Sequence, residues 1–571
     1  MTRFWHGSAA AISALTLTAI PPVEAGEPAD SPITAQTMRS GGQQPAEQAA
    51  LRLRHLDLSI AVTPEAKGMS GVAELTLEVQ RPVSRLLLDL DTNLAVSAVR
   101  IDGTELAAGR WRNPDGRLTI DLPARTTAGQ TIKAYIVYAG TPHIAANPPW
   151  DDGWVWARSP DGQPWIATTA QGYGCDLIWP CIDHPSGEVA DADIRITVPS
   201  PLVALSNGRA MGMAQATGGA RTFHWRSGPI NPYLITINIG AYAELKGDYA
   251  SRFGNRVPLH YWHLGRTAEA KSLFAEFAPT LDFFESVIGP FPFADQKLGV
   301  VQTPYLGMEH QTLNGYGNDY KPSAEGFDWL FHHELSHEWF GNQMTAADWD
   351  DFWLHEGYGQ YMQPLYGRWR EGEARYAAMM AEQRLRIANK SPIVSGRTRT
   401  AEEVYEAKLG GPGVDIYFKG SWVLHTLRGL IGDTAFFDAT RRLVYGRPDP
   451  RPGNFAPRFA TTAEFERLMT EASGQRLDWF FDVYLRQAAL PRLIEQRSAS
   501  GLCLTWKAPG GRPFPLPVEV SVDGVVQRVA MTGDTGFVPA PAGAHLIVDP
   551  NARVLRQSDA IDRVQAGAMA Q

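Results

Sequence analysis

Phe331 to Asn342 reads FHHELSHEWFGN, which holds a His-Glu-x-x-His pattern as His333, Glu334 and His337. On an α-helix, residues four apart lie about 40° apart around the axis. Both imidazoles therefore leave one face, within reach of a single ion. Two nitrogens do not complete a zinc site, because a catalytic site takes a third protein ligand and keeps its fourth position open. Asp351 to Met362, DFWLHEGYGQYM, supplies that ligand as Glu356, with 18 residues between it and His337. This gap lets one helix end near Gly341–Asn342, a loop cross, and a second helix return its carboxylate. His333, His337 and Glu356 are thus the expected ligands of one zinc ion per chain. Glu334, next to a ligand but free of the ion, is placed to take a proton from attacking water and pass it to a leaving amine. His332 and Glu338 are expected behind the ligands or at the surface, and His355 is left without a role.

Working outward, apolar residues at helical spacing cover Ala268–Ile288, Glu325–Asn342, His355–Trp369, Glu373–Ile387 and Gly420–Ile431. Upstream, two-residue alternation in VAELTLEV (Val72–Val79) and IKAYIVY (Ile132–Tyr138) predicts an antiparallel β domain. Downstream, LPVEVSVDGVVQRVAM from Leu516 alternates around an Asp523-Gly524 hairpin signal. The expected order is a β domain over 49–246, a mainly helical zinc domain over 247–490, a small β-sandwich-like domain over 491–560 and a tail over 561–571. The first 25 residues carry Arg3, an apolar run from Ala9 to Ile20 and a small-residue finish at Ala25, as secretory signal peptides do. Residues 26–48, poor in large apolar side chains, are expected to be a flexible leader.

A chain of 571 residues exceeds a single core and predicts two to four domains. Its net charge of −9 and lack of a Lys/Arg block argue against a nucleic-acid partner. Past the signal peptide, no run approaches about 18 apolar residues, so no transmembrane helix is expected. Three cysteines exclude a disulfide-built scaffold. Export would permit a Cys175–Cys181 bridge, and spacing alone leaves bridge and buried thiols equally open. The expected location is the periplasm or the medium; oligomeric state is not legible.

The zinc helix, the W-L-x-E-G segment, a Y-x-K-G motif at Tyr417–Gly420 and the LDWFFDVYLRQAALP run from Leu477 together resemble the zinc aminopeptidase family typified by aminopeptidase N and leukotriene A hydrolase. A G-M-E stretch at Gly307–Glu309 and a P-C-x-D turn at Pro180–Asp183 occur in the same family order. The resemblance implies a multidomain α+β fold: a β-rich saddle-like N-terminal domain, a thermolysin-like catalytic domain and a small C-terminal β-sandwich. It implies that Tyr417 donates to the oxyanion, that Glu309 binds the free amine of a peptide substrate, and that Gln171 is a second amine contact. Gly307, Met308 and His310 complete the implied substrate-binding stretch. His310 stands where the family carries Asn, and a protonated His310 beside the amine pocket would weaken amine binding in acid. Family members often add a large helical C-terminal domain for which this chain leaves no room, which implies a more open pocket.

The expected activity is removal of N-terminal residues from peptides by an exported zinc aminopeptidase. A zinc endopeptidase shares the metal pattern. An altered epoxide-type hydrolase is suggested by Gln171 alone, and an inactive zinc-containing binding protein would need neither Glu334 nor Tyr417.

Overall fold

Alternating burial in the strand Leu51–Thr63 shows how the N-terminal β domain forms. Leu51 and Leu53 face the core at odd positions, Leu56, Leu58, Ile60 and Val62 at even ones. A bulge between Leu53 and His55 absorbs the change of parity, so both runs stay on the apolar face. This strand is inside an eight-stranded sheet, antiparallel to Gly68–Val79 and parallel to Ala192–Pro199. A four-stranded sheet includes the hairpin Gly153–Arg158 and Pro164–Thr169, whose second strand ends two residues before Gln171. The protein is described here from a computed structural model over residues 33–559 and 561–563; the expected signal peptide, the start of the 26–48 leader and most of the 561–571 tail lie outside the described residues.

The described part of the leader is packed. Thr37, Ser40 and Gln48 are buried, and Gln48 Nε2 donates to Asp89 at 2.6 Å. Gly41 has φ 69°, and a Cβ there would lie 1.9 Å from the Trp349 indole. Ala401 N donates to Ser40 O at 3.0 Å. The expected flexibility of 33–48 is thus corrected: few apolar side chains are needed where polar groups find partners and a glycine admits an indole. Nearby, Cys175 and Cys181 are disulfide-bonded and buried.

The catalytic region begins with a mixed five-stranded sheet: Ala243–Ala250, Arg256–His263, Leu298–Gln302, Asn314–Tyr316 and, at the edge, Gly307–Met308. The α-helices of this region are α1 (Thr267–Phe274), α2 (Phe277–Val287), α3 (Trp329–Ser336), α4 (Trp353–Glu371), α5 (Glu373–Leu385), α6 (Ala401–Tyr405), α7 (Phe418–Ile431), α8 (Asp433–Tyr445), α9 (Thr462–Ser473) and α10 (Asp478–Tyr484). The zinc-motif helix α3 is shorter than the expected Glu325–Asn342. Asp328 caps it by accepting from Phe331 N at 3.0 Å, and past Ser336 the backbone tightens into three-residue bonds.

Two glycines set the helix crossing that matters. A Cβ on Gly357 of α4 would lie 3.2 Å from Gly420 Cα and from Ile416 O, and one on Gly420 of α7 would lie 3.0 Å from Gly357 Cα. The glycines of W-L-x-E-G and Y-x-K-G are therefore the contact between α4 and α7. Lys419 then ties α7 to the segment after α10 by donating to Gln487 O and Ala488 O at 2.8 and 2.9 Å.

Two three-stranded sheets close the chain, one with Arg492–Ser498, Gly501–Lys507 and Thr535–Pro539, the other with Val518–Val522, Val525–Val529 and Leu546–Val548. Asp523 and Gly524 both take positive φ between paired Val522 and Val525, the turn that their dipeptide predicts. The architecture is the expected α+β order of β-rich domain, helical catalytic domain and small terminal β sheets. No described helix is long and apolar enough to cross a membrane.

A Gly420→Ala substitution must push α4 and α7 apart. It is expected to cost about 1–3 kcal/mol, read as a lower urea midpoint at unchanged slope.

Candidate active site

The α3 face presents His333 Nε2 and His337 Nε2, 3.3 Å apart, and α4 returns Glu356 Oε2 to 3.4 and 3.5 Å from them. Gly359 permits this, since a Cβ there would sit 3.0 Å from Ser336 Oγ and 3.3 Å from His337 Cε1. His337 Nδ1 faces Phe340 O at 2.9 Å, which sets the tautomer that leaves the Nε2 lone pair on the cluster side. Glu356 Oε2 is buried with no hydrogen-bond partner. Burial opposes charge on His337, yet Glu356, Glu309 and Glu334 push its imidazole up to about 10. Three electron-pair donors converge in a field that asks for positive charge, so the site fits a zinc ion held by two histidines and one carboxylate.

Another His/Asp group, His55 with Asp191 and Asp193, is already neutralised. Arg226 binds Asp191 at 2.8 and 3.0 Å and reaches Asp193 at 3.5 Å, while His224 holds Asp193 at 2.5 Å. It is an ion-pair network.

Glu334 lies beside the ligands with its carboxylate against the edge strand: a Cβ on Gly307 would meet Glu334 Oε1 at 2.3 Å. Burial, with Glu309 and Glu356 adding, holds the Glu334 carboxyl well above its ordinary range. Tyr417, half-buried just before α7, places its ring 6.1 Å from that of His333. Burial and the nearby Glu356 raise its pKa, so the phenol keeps its proton as a donor.

Glu309 follows the edge strand and is buried in the lining of the same cleft, near enough to His337 and Glu356 for their charges to bear on its carboxyl. Gln171 Nε2 donates to its Oε1 at 2.5 Å and Tyr233 OH donates to the same oxygen at 3.3 Å. Tyr405 OH, at the end of α6, donates to Gln171 Oε1 at 3.1 Å. Asn342 Nδ2 fixes the Glu309 backbone by donating to its carbonyl at 3.0 Å. Tyr233, Tyr405 and Asn342 were not singled out from sequence; only Asn342 had a signal, its place in the FHHELSHEWFGN stretch. Gln171, Gly307, Met308, Glu309, Glu334, Glu356 and Tyr417 line one cleft of about 910 Å³ with both ligand histidines.

His310 is corrected. It is fully buried outside the cleft lining, neither ring nitrogen has a hydrogen-bond partner, and burial pushes its pKa down to about 3. It is neutral throughout the range in which the sequence reading had it titrate. Glu338 takes the first of its two expected places, buried behind the ligands: it accepts from Thr312 N at 2.8 Å and from Asn314 and Asn342 Nδ2 at 3.3 and 3.2 Å, clamping the Glu309 loop to the end of the zinc-motif helix. His332 packs among Phe283, Phe284, Phe327 and Tyr366. His355 Nε2 accepts from Ala346 N at 2.7 Å, a structural contact behind the ligand helix.

Comparison with known proteins matches residues 321–484 to the Peptidase family M1 domain and residues 53–234 to the Peptidase M1 N-terminal domain. The leukotriene A-4 hydrolase of Xenopus laevis is 26% identical over 323 residues, 54% of this chain and 51% of that protein. Aminopeptidase M1-C of Oryza sativa subsp. japonica is 25% identical over 332 residues, 55% of this chain and 36% of that protein. The chain thus spans about half the length, or less, of these curated relatives. A crystal structure of a mutant M1 zinc metallopeptidase from Deinococcus radiodurans, bound to a Tyr-Ser-Ala substrate, matches with TM-score 0.65 and 26% identity over 77% of this chain and 95% of that one. A mutant two-domain M1 zinc metallopeptidase bound to L-tryptophan matches with TM-score 0.63 and 25% identity over 79% and 96%.

Two outcomes follow from the geometry. Purified protein is expected to carry one zinc per chain by elemental analysis, and His337→Ala to lose it, with a lower melting temperature than the zinc-bound wild type. His310→Asn is expected to leave the pH profile of ligand binding flat relative to wild type from about pH 5 to 8. Its effect belongs to stability: as pH falls from the unfolded value of about 6.5 toward 3, the unfolded chain takes a proton that folded His310 refuses, so acid unfolds wild type more readily than the variant.

Proposed function

The chain belongs to peptidase family M1, and on that premise we propose that it is an exported zinc-dependent aminopeptidase that hydrolyses the N-terminal bond of peptides. The observation that carries the exopeptidase reading is the buried Glu309 carboxyl, held by Gln171 and Tyr233 in the lining of the cleft that also holds the metal cluster. A fixed carboxylate there receives a substrate's ammonium and so sets which peptide bond can lie over the ligand histidines. An endopeptidase would have no use for a buried carboxylate held in this place to receive a free amine.

Zinc held by His333, His337 and Glu356 would supply Lewis acidity and lower the pKa of water to about 7. Glu334 takes the proton of the attacking water and gives it to the leaving amine, a transfer that suits a carboxyl whose pKa burial has raised. Tyr417 donates its phenolic proton as a hydrogen bond to the oxygen on which negative charge develops, a contribution of about 3 kcal/mol to the barrier. Both groups fit a hydrolase better than an inactive zinc-containing binding protein, and a buried acidic anchor fits an amine better than an epoxide. Export rests on the first 25 residues and is supported by the Cys175–Cys181 disulfide, since such bonds persist in oxidising compartments.

The walls of the cleft bear on substrate charge. Asp151, Glu325, Glu382, Glu402 and Glu406 line it with no Lys, Arg or His partner within 4.0 Å among the described residues, while Arg386 stacks on Phe418 at 4.2 Å. Peptides with Lys beyond the first residue should enter more readily than those with Glu, by roughly tenfold in kcat/KM at low salt, with the gap closing as salt rises.

The deciding assay pairs free and N-acetylated peptides. Cleavage from the free amine only, lost on chelation, is the expected result; equal cleavage of acetylated peptides means an endopeptidase. Glu334→Gln should lose at least about a hundredfold in kcat with zinc retained, and unchanged hydrolysis would remove Glu334 from the proton-transfer role.

A further inference from the structure

We infer that Tyr405 is a positioning residue for the amine-binding end of the cleft: its hydroxyl anchors the Gln171 amide, and Gln171 in turn holds Glu309. The inference rests on the aminopeptidase reading above. Tyr405 OH donates to Gln171 Oε1 at 3.1 Å, and Gln171 Nε2 donates to Glu309 Oε1 at 2.5 Å. With Glu309 ionised, the form that binds an ammonium, a reversed amide would set its oxygen against a carboxylate oxygen with no proton between them. Tyr233 adds a second donor to the same Glu309 oxygen at 3.3 Å. Among the described residues, the donors to the Glu309 carboxylate from other side chains both go to Oε1, and none reaches Oε2. One carboxylate oxygen is thus committed to being held, and the other is left to meet the ammonium.

Each member of this chain comes from a different part of the protein. Gln171 follows a strand of the β domain, Glu309 follows the edge strand, and Tyr405 ends α6. Helix α6 is itself fixed, by a capping box in which Thr400 Oγ1 accepts from Glu403 N at 3.1 Å and Glu403 accepts from Thr400 N at 3.0 Å. The Tyr405 ring meets Phe352 edge-on at 5.9 Å, and Phe352 immediately precedes α4, the helix that carries Glu356. The anchor of the amine end is therefore referenced to the helix of the metal ligand. Without the Tyr405 hydroxyl, Gln171 is tied at one end only and regains rotamer freedom, so its hold on Glu309 weakens.

The experiment compares wild type, Tyr405→Phe, Gln171→Met and the double variant on a free-amine tripeptide, with thermal unfolding as a check of the fold and the N-acetylated peptide as control. Each single variant is expected to raise KM about five- to tenfold, with kcat within about twofold of wild type. The double variant should be no worse than either single one, because the two bonds act in series. A loss confined to kcat would place Tyr405 on the neighbouring Tyr417 and overturn the inference. So would an unchanged KM, or losses that add. Cleavage of the acetylated peptide by wild type would instead fell the aminopeptidase reading itself, and this inference with it.

Discussion

Three buried electron-pair donors, His333 Nε2, His337 Nε2 and Glu356 Oε2, lie within 4.8 Å of one another, and much of the catalytic domain serves to hold them there. Left to themselves they lack donors, and the third must be brought from another helix. The α3–α4 approach at Gly359 and the α4–α7 approach at Gly357 and Gly420 meet that demand. The same crossings place Tyr417 beside the cluster, because Gly420 lies in the first turn of the helix that Tyr417 precedes. A single packing solution thus fixes both the metal ligands and the proposed oxyanion donor.

The amine end is built differently. Glu309 is held by Gln171 and Tyr233 from the β domain, through its backbone by Asn342, and indirectly by Glu338 through Asn342 and the Thr312–Asn314 segment. The zinc-motif helix ends where Glu338 and Asn342 begin this clamp, so the two ends of the cleft share one continuous piece of chain. Distance between a bound amine and the metal is then a property of rigid elements, which is what discrimination between first and later peptide bonds requires.

The metal site was legible because helical periodicity is local: residues four apart meet whatever the fold. Glu309 needed the resemblance, since nothing about G-M-E by itself says what the carboxylate faces. Tyr405 and Tyr233 could not be read at all. They lie 234 and 76 positions from the residues they hold, and no local pattern marks such partners. His310 was misread for the opposite reason, because its polarity suggested a wet pocket and its full burial is a tertiary fact. The 33–48 segment failed similarly, its polar composition being satisfied by Asp89, Asp183 and α6 rather than by water. Glu338 was expected behind the ligands or at the surface and is behind them, but its three donors come from around it in space and left no local mark.

That packed N-terminal segment also constrains the order of events in folding. Ser40 binds Asp183, 143 residues on, and receives the backbone N–H of Ala401, while Gly41 seats against Trp349. Among the described residues, the part of the chain made first has partners that are made much later. It cannot dock until the β domain and the ligand-bearing helices stand in place, and contacts so distant in sequence are slow to close. The segment therefore latches a nearly finished molecule, joining the β domain to α6 and, through Tyr405, to the amine end of the cleft.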